Sequence, residues 1–119
     1  LFHAALEQEQ VKDAPVVIVV CSNTARSTPR YGKRGYEFYA VTDGAFASML
    51  ILLSCTAYGL GACFVGAFND EAVSEILKLP KYVRPIGIIT IGYPAEKPEK
   101  LQRLPLENLI HREEWEVVV

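Results

Sequence analysis

The sequence predicts an α+β domain, a mixed sheet flanked by helices. Residues 16–21 are a continuous β-branched run, the mark of a strand buried on both faces, and residues 83–91 are a second strongly apolar strand. Between them, residues 44–58 are apolar on almost every side at helix length, so a long helix buried on more than one side is expected. A short strand, 62–65, follows that helix and breaks at Gly66. Strands joined through helices rather than tight hairpins define the class.

Taken in order, Phe2, Ala5 and Leu6 share one helical face, so residues 1–10 read as the end of an amphipathic helix. Asp13-Ala14-Pro15 stops it before the first strand. Residues 22–35 read as a polar loop rich in Arg, Lys, Ser and Thr. Thr42 and Asp43 supply an N-cap for the long helix. Gly59 ends that helix, as a glycine just past the last turn does. Asn69 caps a helix over 70–77, where Asp70 and Glu71 complement the dipole and Ala72, Val73, Ile76 and Leu77 form the apolar face. The strand at 83–91 runs out at Gly92-Tyr93-Pro94. Residues 95–103 form a charged connection, 104–114 irregular or one-turn helical structure, and 115–119 an apolar tail.

A chain of 119 residues holds one domain at most. Its 50% apolar and 22% charged residues suit a soluble globular protein. The net charge of −2 gives no general pull toward nucleic acid or an anionic membrane. Residues 44–60 fall short of the roughly 20 that a membrane span needs, and they carry Ser48, Ser54 and Thr56. No signal or transit peptide is expected. Cys21, Cys55 and Cys63 lack metal-ligand spacing and read as buried reduced thiols, which favours a cytoplasmic location. His3 and His111 have no partner in ligand spacing, so no metal site is expected. The long helix and the valine tail are greasier than a lone chain of this size should expose. A partner is therefore expected: a second copy, a further N-terminal segment, or both.

The run from Gly59 to Asn69 is the most informative stretch. Small residues at Gly66 and Ala67 let a ligand approach bare backbone. Several motifs occur in order. Asp13-Ala14-Pro15 precedes a valine-rich strand, Asp43-Gly44-Ala45 precedes the apolar helix and Gly59-Leu60-Gly61, and Gly66-Ala67-Phe68 makes a turn. Ile91-Gly92-Tyr93-Pro94 is followed by Arg103-Leu104-Pro105-Leu106 and Ile110-His111. Together they resemble the nitroreductase family of FMN-dependent homodimeric oxidoreductases. The resemblance covers the family's C-terminal two-thirds, so residues 1–119 are expected to be one nitroreductase-like domain truncated at its N-terminus.

The resemblance implies a fold with a long dimer-interface helix, and FMN at the interface. It implies ping-pong electron transfer from NAD(P)H to a small-molecule acceptor, nitroaromatic or quinone-like. The cofactor carries the redox step, so no catalytic side chain is required. The Ala67 amide would face flavin N5 with Gly66 making room. Arg103 would hold the FMN phosphate, because a guanidinium binds phosphate through two parallel hydrogen bonds. The family's second basic position falls on Leu101, with Lys100 as a substitute. Tyr36, Phe38 and Tyr39 would shape the acceptor side.

Arg26, Arg30, Lys33 and Arg34 interleave with Tyr31 and Tyr36, a pattern that can bind nucleic acid or gate a pocket. The negative net charge disfavours nucleic acid, and the stretch is read as a solvated loop. Arg26-Ser27-Thr28-Pro29-Arg30 imitates the family's Arg-Ser-x-Arg but is one residue too long and follows a strand. That motif and the family's Pro-Ser-x-x-Asn do not occur in these residues. A non-catalytic flavin- or ligand-binding module, an inactive fragment and a pure dimerisation domain therefore stay open as alternatives.

Overall fold

A computed structural model describes residues 1–117. Its sheet has three strands, β1 (Val16–Asn23), β2 (Gly61–Val65) and β3 (Val83–Gly92), in the order β1-β3-β2. Both pairings are antiparallel, with Val16 opposite Ile91 in one and Val65 opposite Ile88 in the other. The α+β class holds. Among the described residues, however, the expected mixed sheet contains only antiparallel pairs, because β1 and β2 run the same way on opposite sides of β3.

β3 is the apolar strand that lies between two others, and its residues 87–91 are buried. β1 is an edge strand, which corrects the expectation of burial on both faces: Val16 is 51% exposed. The β1–β3 register slips at Val20/Cys21, where Gly87 and then Pro85 are the partners. Ile86 is thus the extra residue of a β-bulge, and the bulge accommodates a proline that cannot donate to the ladder.

A helix covers one face of the sheet. Helix α3 (Ala40–Ala57) packs the C-terminal half of its length on Ile89 and Ile91 through Cys55, Ile51 and Leu52, and Leu60 just beyond the helix joins them. Its buried residues are Ala40, Gly44, Ser48 and Cys55, a narrow stripe of small side chains. A Cβ on Gly44 would lie 2.6 Å from Ile86 Cγ1, so the helix crosses the bulge at a point where only glycine fits. The opposite face of α3 is open: Phe46 is 69% and Leu50 66% exposed. The helix is therefore not buried on several sides within one chain. Small residues, with Ile51 and Leu52, face the sheet, and Phe46, Met49, Leu50 and Leu53 face outward.

The other face of the sheet carries Ala4, Ala5, Val11, Val73 and the strand residues Val65 and Ile88. These come from the N-terminal segment, the short helix α1 (Glu9–Asp13) and helix α4 (Asp70–Ile76). Residues 1–7 are a series of turns and not the expected helix, because Leu6 and Glu7 both adopt φ of 55°. Asn69 caps α4 as expected, its Oδ1 accepting from the Ala72 N–H at 2.9 Å. Gly59 sits at φ 73°, the left-handed position beyond α3.

The polar stretch expected as a loop is instead helix α2 (Thr28–Arg34), started by Pro29 in its first turn. Gly32, at φ 56° and ψ −134°, kinks α2, and from Lys33 onward a π-helical turn over Gly35–Tyr39 leads into α3, so Thr42 and Asp43 lie inside a helix and cap nothing. The helical stretch Thr28–Ala57 is 30 residues, long and apolar enough by those measures to cross a membrane. That length includes the kink at Gly32 and the charged Arg30, Lys33, Arg34, Glu37 and Asp43, so the uncharged apolar part is still the run over 44–57. Beyond β3, residues 93–117 form an arm with one 3-10 turn at Leu106–Asn108 and exposed apolar side chains throughout. The radius of gyration is 17.4 Å, against about 13–14 Å for a compact chain of this length. The last two valines of the expected tail lie outside the described residues.

Candidate functional site

The site is built where β2 ends. Val65 is the last paired residue of the strand, held in the core against Ile88. The chain then turns through Gly66 and Ala67, both exposed, before Phe68 returns to the core and Asn69 caps α4. A Cβ on Gly66 would come 3.2 Å from the Phe64 ring, so glycine lets the chain pass that ring closely. Phe64 itself lies flat over Gly87, where an added Cβ would meet its ring.

Two hydrogen bonds from the N-terminal segment hold the turn. The Asn69 N–H donates to Ala4 O at 2.8 Å, and Gln8 Nε2 donates to Ala67 O at 3.1 Å. The Ala67 N–H makes no hydrogen bond among the described residues. An exposed donor on a small-residue turn is a place where a ligand acceptor can be met by backbone alone. Gly66 and Ala67 are the residues at which the resemblance expects a flavin edge, and the turn offers one backbone donor there.

Arg103 has no hydrogen bond or ion pair to this turn among the described residues. It is exposed on the C-terminal arm and makes no ion pair among the described residues. Its guanidinium is thus available to an anion, but that anion is not one held at Gly66 and Ala67 of the same copy by contacts seen here.

The three aromatic residues expected on the acceptor side separate into two groups. Tyr36 lines a cleft of about 440 Å³ with Asp70, Ser74, Lys81 and Arg84, beside the start of α4, and the Arg84 guanidinium lies 5.6 Å from its ring centre. Phe38 and Tyr39 pack with Arg34 and Tyr31 instead. Arg34 stands 4.5 Å over Phe38 and 5.5 Å from Tyr39, and Tyr31 meets Tyr39 edge-on at 5.0 Å. The interleaving of cations and rings in the sequence is thus an internal packing device, with Lys33 paired to Glu37 at 3.7 Å.

A larger cavity, about 610 Å³, opens between β1 and the α2–α3 helix and is lined by Cys21, Ser22, Arg26, Tyr31, Asp43 and Gly44. Burial pushes the Cys21 thiol up from its ordinary 9.0. Of the three thiols expected to be buried, only Cys55 is; Cys21 is half-buried and Cys63 exposed, because β2 lies at the other sheet edge. Among the described residues there is no cluster of His, Cys, Asp or Glu able to hold a metal ion. Gln8 was not legible as a site residue: a glutamine near a helix start carries no signal for a bond to a carbonyl 59 positions away.

A family profile described as the nitroreductase family matches residues 2–93. The chain belongs to that family. An NAD(P)H-linked FMN reductase of Bacillus subtilis is 32% identical over 123 aligned positions, covering 91% of this chain and 49% of the reductase. An oxygen-insensitive NADPH nitroreductase of Salmonella typhimurium is 36% identical over 78 positions, covering 64% of this chain and 32% of that enzyme. Among solved structures, NfrA1 of Bacillus megaterium superposes with a TM-score of 0.86 at 30% identity, over 97% of this chain and 52% of its own. The chain thus spans about a third to a half of the length of the curated nitroreductase-family relatives it matches here. The nitroreductase fold accounts for the long α3 and for the turn after β2.

Proposed function

We propose that this chain forms part of an FMN-dependent oxidoreductase, working as a homodimer in the cytoplasm on a small-molecule acceptor. The observation that carries the reading is the exposed, unbonded Ala67 N–H on the small-residue turn with Gly66. Ala67 would donate to flavin N5, Gly66 would admit the ring edge, and Arg103 would bind the phosphate. When bound, FMN supplies the redox chemistry, moving electrons by ping-pong exchange from NAD(P)H to a nitroaromatic or quinone-like acceptor. The names of the Bacillus and Salmonella relatives support FMN and NAD(P)H as the redox pair.

The homodimer follows from the apolar surface left open. Phe46, Met49, Leu50 and Leu53 on α3, together with Leu101, Leu104, Leu106, Ile110 and Trp115 on the arm, face solvent in one chain. A second copy packed against α3 would cover the helix face, and the arm reaching over that copy would carry Arg103 with it. The same burial explains an apolar helix of membrane-spanning length without a membrane. Tyr36, beside the first turn of α4, is the aromatic residue best placed for the acceptor side. Phe38 and Tyr39 would act through Arg34.

The lack of the Arg-Ser-x-Arg and Pro-Ser-x-x-Asn motifs in these residues favours a second reading, in which they alone are a weak flavin-binding module without turnover. The spectrum of purified protein separates the two. Absorbance near about 450 nm that bleaches with NAD(P)H supports the enzyme, a stable flavin colour supports the binder, and colourless protein that takes up no added FMN rejects both.

A further inference from the structure

We propose that Gln8 is the positioning residue of the Gly66–Ala67 turn, holding the Ala67 carbonyl and with it the Ala67–Phe68 peptide next to the one that presents the Ala67 N–H. The meaning of that turn as a flavin edge rests on the function proposed above, but the positioning itself does not.

The carboxamide of Gln8 makes three hydrogen bonds. Its Nε2 donates to Ala5 O at 2.9 Å and to Ala67 O at 3.1 Å, and its Oε1 accepts from Gln10 Nε2 at 3.2 Å. This set leaves one orientation for the amide. Turned over, Oε1 would face two carbonyl oxygens and Nε2 would face another donor. The side chain is thus a fixed bridge between the N-terminal segment and the turn.

Both ends of the bridge are anchored. Ala4 and Ala5 are buried against Val65, Val73 and Ile88, the residues on which the turn itself rests. Ala4 O takes the Asn69 N–H, so the segment grips the turn at Ala67 and again two residues later. Between Ala5 and Gln8 the chain passes through two successive left-handed residues, Leu6 and Glu7, each at φ 55°. Neither is glycine, so the conformation is strained and must be held by what surrounds it. It reverses the chain sharply enough for Gln8 to reach back to Ala5 and across to Ala67. With the Ala67 carbonyl and the Asn69 N–H both held, the C-terminal side of the turn is fixed, and the Gly66–Ala67 peptide that carries the Ala67 N–H is left to move only through the φ and ψ of Ala67 and the residue before it.

The test compares Gln8→Met, which keeps length and bulk but has no donor, with Gln8→Lys, whose ammonium can donate to both carbonyls. Amide exchange at Asn69 and the carbonyl carbon shift of Ala67 are read in the ligand-free chain. Loss of one bridging hydrogen bond is expected to raise Asn69 exchange about tenfold in Gln8→Met and to shift the Ala67 carbonyl. Gln8→Lys restores both, whereas a residue that merely filled space would be replaced better by methionine. Unchanged exchange and shift in Gln8→Met overturn the proposal, as does recovery with methionine and not with lysine. FMN titration of the same proteins addresses the flavin reading separately. If the exchange pattern appears as expected while millimolar FMN leaves the wild-type turn untouched, Gln8 positions the turn and the flavin assignment fails.

Discussion

Replacing Gly44 by alanine tests how α3 is seated on the sheet. In an open helix position the change should stabilise the chain by about 0.5–1 kcal/mol, since glycine is the costlier residue there. Here the new Cβ would stand 2.6 Å from Ile86 Cγ1, 2.8 Å from Cγ2 and 2.9 Å from Cβ. Rotating the Ile86 side chain moves the first two atoms but not the third, which is fixed to the bulged backbone of β3. The helix must therefore lift or the bulge must shift, and overpacking of this kind costs about 1–3 kcal/mol. The net expectation is a loss of about 1–2 kcal/mol in urea unfolding, with the denaturant slope unchanged. Ile86→Ala removes the two nearest contacts, so Gly44→Ala should cost at least about 1 kcal/mol less in that background. A stabilised Gly44→Ala variant, or additive effects of the two changes, would refute the close crossing.

Other predictions concern the dimer, the phosphate and the thiol. Sedimentation should give a dimer at micromolar concentration, and removing residues 94–119 should weaken it, because that arm carries Trp115 at 79% exposure in one chain; an unaltered dimer would mean that the arm is free. Arg103→Ala should weaken FMN by about 1.5–3 kcal/mol and spare riboflavin, which has no phosphate for the guanidinium; equal losses would make Arg103 structural. The Cys21 thiol, raised by burial, favours the neutral form in the folded state. Its contribution to stability is complete below the ordinary thiol pKa and is lost as pH rises through the higher folded value. Alkaline unfolding midpoints of Cys21→Ala should therefore depend less on pH above 9.0 than those of the wild type, and parallel curves would contradict this.

Local signals in the sequence are accurate where the chain decides its own conformation. Asn69 before Asp70 and Glu71, and Gly59 at φ 73°, act through their nearest neighbours, so the α4 start and the α3 end are legible. The errors arise where distant packing decides. Residues 28–34 are polar on average, yet they form a helix kinked at Gly32, with Arg34 against Phe38 and Tyr39 and Ser27 Oγ donating to Gly35 O at 3.2 Å. The valine run of β1 looks like a central strand, but strand order is a property of the whole sheet. At the candidate site, the turn at Gly66 and Ala67 is visible because a glycine at a strand end marks a break or a close backbone approach. Gln8 is invisible because its role depends on a fold-back through Leu6 and Glu7. Tyr36, Phe38 and Tyr39 are adjacent in sequence, but the π-helical turn sends Tyr36 to α4 and the other two to Arg34.

The central claim is that the Ala67 amide meets the flavin. Because Arg-Ser-x-Arg and Pro-Ser-x-x-Asn do not occur among these residues, and each charged contact is worth about 1.5–3 kcal/mol, these 119 residues alone are expected to bind FMN weakly. Titration of isotopically labelled chain with FMN up to about millimolar concentration, the range of a weak contact, reads the site amide by amide. The account predicts that the Gly66 and Ala67 amides shift most and that Ala67→Pro, which removes the donor, abolishes the shift at Gly66. Saturable binding that moves the amides of the Cys21–Arg26–Tyr31 cavity and leaves Gly66 and Ala67 unmoved would contradict it.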